Sequence, residues 1–233
     1  MTIGIVVFPG SNCDHDVHHV ITAVSGGEAR FLWHKDTDLS GISAVVLPGG
    51  FSYGDYLRCG AIARVSPIMG EVKRFAAQGR PVVGICNGFQ VMVESGILPG
   101  ALVRNRDLRF ICQPQTLVVE QTDSPYTSGY APGQVVNFPI AHADGNYSAS
   151  PDTLRMLESE GRVAFRYAAA DGTVSDATNP NGSAGNIAGI FGDTRNVLGL
   201  MPHPERNAEA ALGDGAGRAF FDGLVAHLQG ASA

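Results

Sequence analysis

A doubly wound α/β fold, with a mostly parallel sheet flanked by helices, is predicted by three features of this sequence. Residues 3–8, 43–47 and 81–85 are short apolar runs rich in Ile and Val, the pattern of strands buried on both faces. Between them Val17, Val20, Ile21 and Val24, and then Ile62, Val65, Met69, Val72 and Phe75, recur at helical spacing. Strand and helix therefore alternate as parallel crossovers require. From about residue 101 the texture changes to short β-like runs set off by Gly, Asn, Asp and Pro. We read residues 101–195 as a β-rich extension of one domain spanning 1–233.

In order, the strand at 3–8 enters the turn Pro9-Gly10-Ser11-Asn12, and the helix after it stops at Gly26-Gly27. Residues 29–33 form a second strand, and 43–47 a third that Pro48-Gly49-Gly50 closes. One amphipathic helix is expected between Gly60 and Gln78, punctuated by Gly79 before the strand at 81–85. Residues 117–119, 134–140, 163–167 and 185–190 are the β-like runs of the extension. Asn179-Pro180-Asn181-Gly182-Ser183 is a loop by composition. Residues 196–201 form the last strand. Residues 215–228 form a helix with Phe220, Phe221, Leu224, Val225 and Leu228 on one face, and 230–233 are expected to fray.

The 233 residues suffice for one large core. A net charge of -6 excludes a general nucleic-acid binder, since phosphate neutralisation needs a basic face. The densest basic group, Arg104, Arg106 and Arg109, is small. Met1-Thr2 leads straight into the first strand, and no apolar stretch approaches membrane-spanning length, so a cytoplasmic location is expected. Cys13, Cys59, Cys86 and Cys112 are too widely spaced for a metal-type pair. We expect four free thiols, and no metal.

Cys86 is the thiol placed for chemistry. The run from Pro81 to Gln90 reads as strand, tight turn and helix, with Cys86 at the bend. A nucleophile on such an elbow is lifted clear of the sheet, and the helix N-terminus behind it favours negative charge. The alternative for this fragment alone is a buried, inert thiol. A cysteine hydrolase further needs a histidine, a group that orients it, and donors for an oxyanion. His15, His18, His19 and His34 lie in or near a surface-type helix and its following loop, and His227 on the polar side of the last helix; solvated side chains are expected. His203 differs, because it stands in Met201-Pro202-His203-Pro204-Glu205-Arg206. A residue before proline is pushed into an extended conformation, where residues i and i+2 point the same way. That puts the Glu205 carboxylate within reach of the His203 imidazole. The plainer alternative pairs Glu205 with Arg206 or a surface lysine. The amide of Asn87 and the turn Pro48-Gly49-Gly50 are the natural sources of oxyanion donors.

Pro48-Gly49-Gly50, Gly84-Ile85-Cys86-Asn87-Gly88-Phe89-Gln90 and Pro202-His203-Pro204-Glu205, in that order, resemble the pattern of the class I (triad-type) glutamine amidotransferases. Residues 9–14, 49–61, 98–101, 105–112 and 201–206 are similar to one branch of that family, which supplies ammonia to phosphoribosylformylglycinamidine synthase in purine biosynthesis. The resemblance implies a flavodoxin-like sheet, with Cys86 as nucleophile, His203 as base and Glu205 as its orienter. It also places Gly50 and Asn87 at oxyanion positions and Gln90 at a glutamine-contacting position. The activity implied is hydrolysis of L-glutamine through a γ-glutamyl thioester, with no cofactor on this chain. The partners implied are a large synthetase subunit, which holds ATP and Mg, and a small accessory subunit. Ala141-His142-Ala143-Asp144-Gly145-Asn146 departs from the family's His-Gly-Glu-Gly, with Ala143 and Asp144 in place of Gly and Glu. Another cysteine hydrolase, such as an intracellular peptidase, is a rival reading, but those draw their histidine from beside the elbow, where Asn87 stands here. A non-catalytic binding protein is a second rival, and it gains nothing from an intact Cys, His and Glu set.

Overall fold

The computed structural model describes residues 1–231. Its elements, in chain order, are β1 (Thr2–Val7), α1 (Asp14–His19), β2 (Glu28–Trp33), β3 (Ile42–Leu47), α2 (Pro67–Ala77), β4 (Val82–Ile85) and α3 (Asn87–Glu94). There follow β5 (Ala101–Val103), β6 (Ile111–Val119), β7 (Val135–His142), β8 (Asn146–Ser148), α4 (Pro151–Ser159), β9 (Val163–Tyr167), β10 (Ile187–Phe191), β11 (Val197–Leu200) and α5 (Arg218–Gly230). Among the described residues nine strands form one sheet in the order β2-β1-β3-β4-β11-β10-β9-β6-β7, and β5 pairs with β8 in a separate ribbon.

The sheet has a seam. From β2 to β11 every pairing is parallel, and from β11 to β7 every pairing is antiparallel. The parallel strands carry the continuous apolar runs: β3, β4 and β11 are buried along almost their whole length. The antiparallel part contains the extension expected from residue 101 onward, and β11 joins the two. Helix α3 sits so close to the sheet that a Cβ on Gly88 would overlap the carbonyl oxygen of Leu47 at the end of β3. Only glycine lets the helix behind Cys86 approach that far.

Three expectations are corrected. The single helix between Gly60 and Gln78 is interrupted: Ala63–Val65 is a separate 3-10 turn, Ser66 is extended at ψ 142°, and α2 starts at Pro67. The proline fits the first helical position but cannot continue an upstream helix, and it pushes Ser66 out of the helical region. Val65 is therefore exposed and not on the core face. Helix α4 is not among the expected elements, although Ser150-Pro151 is a good start signal; the Ser150 hydroxyl accepts the Thr153 N–H as an N-cap. The C-terminal helix runs on to Gly230, and the part of the expected frayed tail at 232–233 lies outside the described residues.

Candidate active site

Adjacent parallel strands bring the predicted residues to one edge of the sheet. β4 lies between β3 and β11, with Leu47 opposite Gly84 and Ile85 opposite Leu200. The next residues in each chain segment are the glycine turn, Cys86, and the approach to His203. Carboxyl ends of parallel strands are where open α/β sheets place their sites.

Cys86 has φ 50° and ψ -105°, a conformation that costs a non-glycine residue on the order of 1–3 kcal/mol. The strain is held by packing and by the Cys86 N–H, which donates to the Leu200 carbonyl at 2.7 Å. Its Sγ faces the Ala141 carbonyl oxygen of β7 at 3.7 Å, and the residue is only 5% exposed.

His203 is buried, and its backbone N–H donates to the Pro139 carbonyl of β7 at 2.8 Å. Its Nδ1 meets Glu205 Oε1 at 2.6 Å, both side chains being almost fully enclosed. The expected pairing is therefore present, but through a different backbone. Glu205 lies in the 3-10 turn Pro204–Asn207 and not in an extended segment. Burial works against a charged His203, yet the Glu205 carboxylate and the nearby Cys86 and Cys13 sulfurs outweigh it and raise its pKa well above the ordinary value. With Nδ1 committed to Glu205, Nε2 has no hydrogen-bond partner among the described residues. That nitrogen is free to exchange a proton with a reacting group.

Gly50 has φ 143°, and a Cβ there would sit 2.8 Å from the Asn12 nitrogen. The turn after β3 thus demands glycine. Asn87 and Gln90 are both buried and bonded within the protein. Asn87 Oδ1 accepts the Ser52 N–H at 3.1 Å, and its Nδ2 donates to Gln90 Oε1 at 2.9 Å. Gln90 Nε2 in turn donates to the Asp144 carbonyl at 2.7 Å. The Asn87 side chain therefore serves as a strut.

Sequence reasoning gave no role to three neighbours, Cys13, His142 and Asp144. Cys13 is buried, and its Sγ accepts from Arg206 Nη2 at 2.9 Å. Ligand atoms of Cys13, His203 and Glu205 lie within 4.8 Å of one another, but the Arg206 guanidinium on that sulfur opposes a cation there. His142 is buried, with Nδ1 against Asn105 Oδ1 at 3.1 Å. Burial, and then the charge of His203, lower its pKa to about 4. Neither residue carried a local signal beyond its place in a motif. Asp144 closes the far side: Cys59 donates to its Oδ2 at 3.1 Å, and Arg104 reaches its Oδ1 at 3.2 Å. Burial raises the pKa of Asp55 nearby, and burial together with the Asp144 and Asp55 carboxylates pushes the Cys59 thiol far up. His34, expected in solvent, is buried instead, with Nδ1 on the Tyr53 hydroxyl at 2.8 Å. His15 and His18 pack on Phe31.

Residues 1–214 match the CobB/CobQ-like glutamine amidotransferase domain. The chain is 57% identical over 231 residues to the phosphoribosylformylglycinamidine synthase subunit PurQ of Chlorobaculum tepidum, covering 99% of each. It is 52% identical over 233 residues to that of Bradyrhizobium diazoefficiens, covering 100% of each. Among solved structures, that of PurLQS from Thermotoga maritima superposes with a TM-score of 0.86 at 39% identity, over 97% of this chain and 98% of that one. A putative GMP synthase component from Thermoplasma acidophilum shares the fold, with a TM-score of 0.64 at 18% identity over 100% of this chain and 96% of that one.

Proposed function

The chain belongs to the PurQ family of phosphoribosylformylglycinamidine synthase subunits, within the glutamine amidotransferases, and on that premise we propose how its residues perform the reaction. Glutamine binds at the elbow, and the Cys86 sulfur attacks the carbon of the side-chain amide. The carbonyl oxygen takes up the negative charge, facing the backbone N–H groups of Gly50 and Asn87. Removing one such donor typically costs on the order of 100- to 1,000-fold in rate. His203 Nε2, in its protonated form, gives its proton to the departing nitrogen, and ammonia leaves. A γ-glutamyl thioester remains on Cys86. Neutral His203 then takes a proton from water, hydroxide adds to the thioester, and glutamate departs with the sulfur released. Glu205 holds the imidazole in one tautomer and stabilises its charged form. Thiol, imidazole and carboxylate suffice for this chemistry, so the chain needs no cofactor or metal of its own.

The ammonia passes to a large synthetase subunit, which uses ATP and Mg to convert formylglycinamide ribonucleotide to formylglycinamidine ribonucleotide, with a small accessory subunit completing the assembly. Residues 1–233 act as a single domain, and Gln90 orients the glutamine pocket through its bond to Asp144. The free thiols Cys13, Cys59, Cys86 and Cys112 fit a reducing cytoplasm. No helix of the described residues is long and apolar enough to cross a membrane.

The observation that carries the reading is the placement of Cys86 and the 2.6 Å His203–Glu205 pair just beyond the carboxyl ends of neighbouring parallel strands. Its test is labelling with a glutamine-mimicking electrophile, followed by peptide mapping. Label on Cys86, and loss of glutaminase activity in Cys86→Ala, are expected. Label on another cysteine, or full activity in Cys86→Ala, would overturn it.

A further inference from the structure

Among the described residues two imidazole nitrogens are buried without a hydrogen-bond partner, Nε2 of His203 and Nε2 of His142. The first gives and takes the proton in the reaction above. The second has no part in it so far. A buried polar atom left unpaired costs stability, so one that persists calls for an explanation.

The backbone around His142 decides where its proton sits. Asn105 Nδ2 donates to the carbonyls of Arg109 and His142, both at 2.8 Å. Asn105 Oδ1 accepts the Gly145 N–H at 3.1 Å. Carbonyls only accept and a backbone N–H only donates, so these three groups admit one orientation of the amide. Oδ1 therefore meets His142 Nδ1, at 3.1 Å, as an acceptor, and Nδ1 carries the proton. In the neutral ring Nε2 is then a bare lone pair. Neutral is the state it keeps, because burial, and then the charge of His203, lower its pKa to about 4. The ring is also locked in place. A Cβ on Gly145 would overlap the imidazole, and the Gly145 carbonyl accepts from Nδ2 of the fully buried Asn181 at 2.7 Å.

The segment that carries this ring borders the site at three points. The Pro139 carbonyl accepts the His203 N–H, the Ala141 carbonyl faces Cys86 Sγ at 3.7 Å, and the Asp144 carbonyl accepts from Gln90 Nε2. His142 stands between the last two. We propose that His142 Nε2 accepts a hydrogen bond from the side-chain amide N–H of glutamine, and so distinguishes that amide from a carboxylate. The inference rests on the glutaminase reading above. A γ-carboxylate, as in the product glutamate, offers only lone pairs, and a fixed lone pair opposes it. A site built to hydrogen-bond a substrate N–H rejects the analogue that lacks it. The contact also serves the first step. With one N–H held by His142, the lone pair that forms on the departing nitrogen is turned toward the proton of His203.

The test uses the full chain with its cognate synthetase and accessory subunits, and reads kcat and KM for glutamine and the inhibition constant of glutamate. His142→Asn keeps a donor for Asn105 but leaves the Nε2 position empty, whereas the longer side chain of His142→Gln brings an amide oxygen there. Thermal melts accompany both. His142→Asn is expected to lower the ratio of the glutamate constant to the glutamine KM by about tenfold or more, with kcat reduced, and His142→Gln to restore most of both. A ratio within about twofold of the unmodified value in folded His142→Asn overturns the proposal. So does an equal loss in the two variants, which marks a structural role. Equal weakening of glutamine and glutamate assigns the contact to the α-ammonium group they share, and overturns the amide reading. A second measurement needs no His142 variant. In the Cys86→Ala assembly, calorimetry compares glutamine with 2-amino-5-oxohexanoate, in which a methyl group replaces the amide nitrogen. Glutamine is expected to bind about tenfold tighter or more, and equal affinity overturns the proposal. If the unmodified assembly hydrolyses no glutamine, the proposed function falls first and this inference with it.

Discussion

A Cβ placed on Gly49 would lie 2.7 Å from Cε1 of His203 and 3.1 Å from Sγ of Cys13. The turn after β3 is thus the back wall of the imidazole. Gly49→Ala must move a ring that Glu205 holds at Nδ1, on a backbone that the Pro139 carbonyl holds at the His203 N–H. A misplacement of about 1 Å costs on the order of 100-fold in rate. We expect glutaminase kcat to fall by about that factor while the melting temperature drops by only a few degrees, checked by steady-state kinetics beside a thermal melt.

Arg206 loses its sulfur acceptor in Cys13→Ala and keeps Asp16, at 3.8 Å, as its remaining side-chain partner. A hydrogen bond to a charged group contributes about 1.5–3 kcal/mol. Cys13→Ala is expected to be destabilised by about that amount, with kcat reduced and KM little changed. Cys13→Ser, which restores an acceptor, is expected to recover most of both. Denaturant melts and kinetics of the two variants side by side decide it.

Two of the buried histidines, His142 and His203, act on opposite sides of neutrality. Below pH 6.5 the unfolded chain protonates His142, while the folded chain does so only near 4. Stability therefore falls as pH drops through that window, by about 3 kcal/mol at most. His203 is raised instead, so its contribution is complete below about 6.5 and is lost as pH climbs through its folded value. Urea unfolding across pH is expected to show His142→Gln with a flatter acid limb, and Glu205→Gln with a flatter alkaline limb.

Two helix glycines give contrasting results. Gly70, within α2, has nothing within 4 Å of where a Cβ would go, so Gly70→Ala is expected to stabilise by about 0.5–1 kcal/mol. Gly88→Ala drives a methyl group into the Leu47 carbonyl. It is expected to lift α3 from the sheet, lowering the melting temperature and the activity together. Thermal melts of both variants check the pair.

Strands buried on both faces were legible because their apolar runs do not depend on what packs against them, as at 43–47 and 81–85. Proline and glycine likewise act locally, so the Cys86 bend and the constraint on His203 could be read directly. The break at Ser66 is just as local, but it is masked because Ile62 and Val65 happen to fall in helical phase with α2. Cys13, His142 and Asp144 are different. Their roles arise where segments distant in sequence meet, and nothing in their immediate neighbours announces it. Glu205 shows how a correct pairing can rest on an incorrect backbone, since a 3-10 turn and an extended segment both bring residues 203 and 205 together.

β11 is inserted between β4 and β10, yet it is the last strand in the chain. During synthesis the thiol, the glycine turn and both neighbours of β11, parallel β4 and antiparallel β10, emerge first, and the middle of the sheet stays empty until residues 197–200 arrive. A nascent or truncated chain ending before that point carries Cys86 without its imidazole. Reactivity is therefore withheld until the polypeptide is nearly finished, and the same late strand that completes the core completes the chemistry.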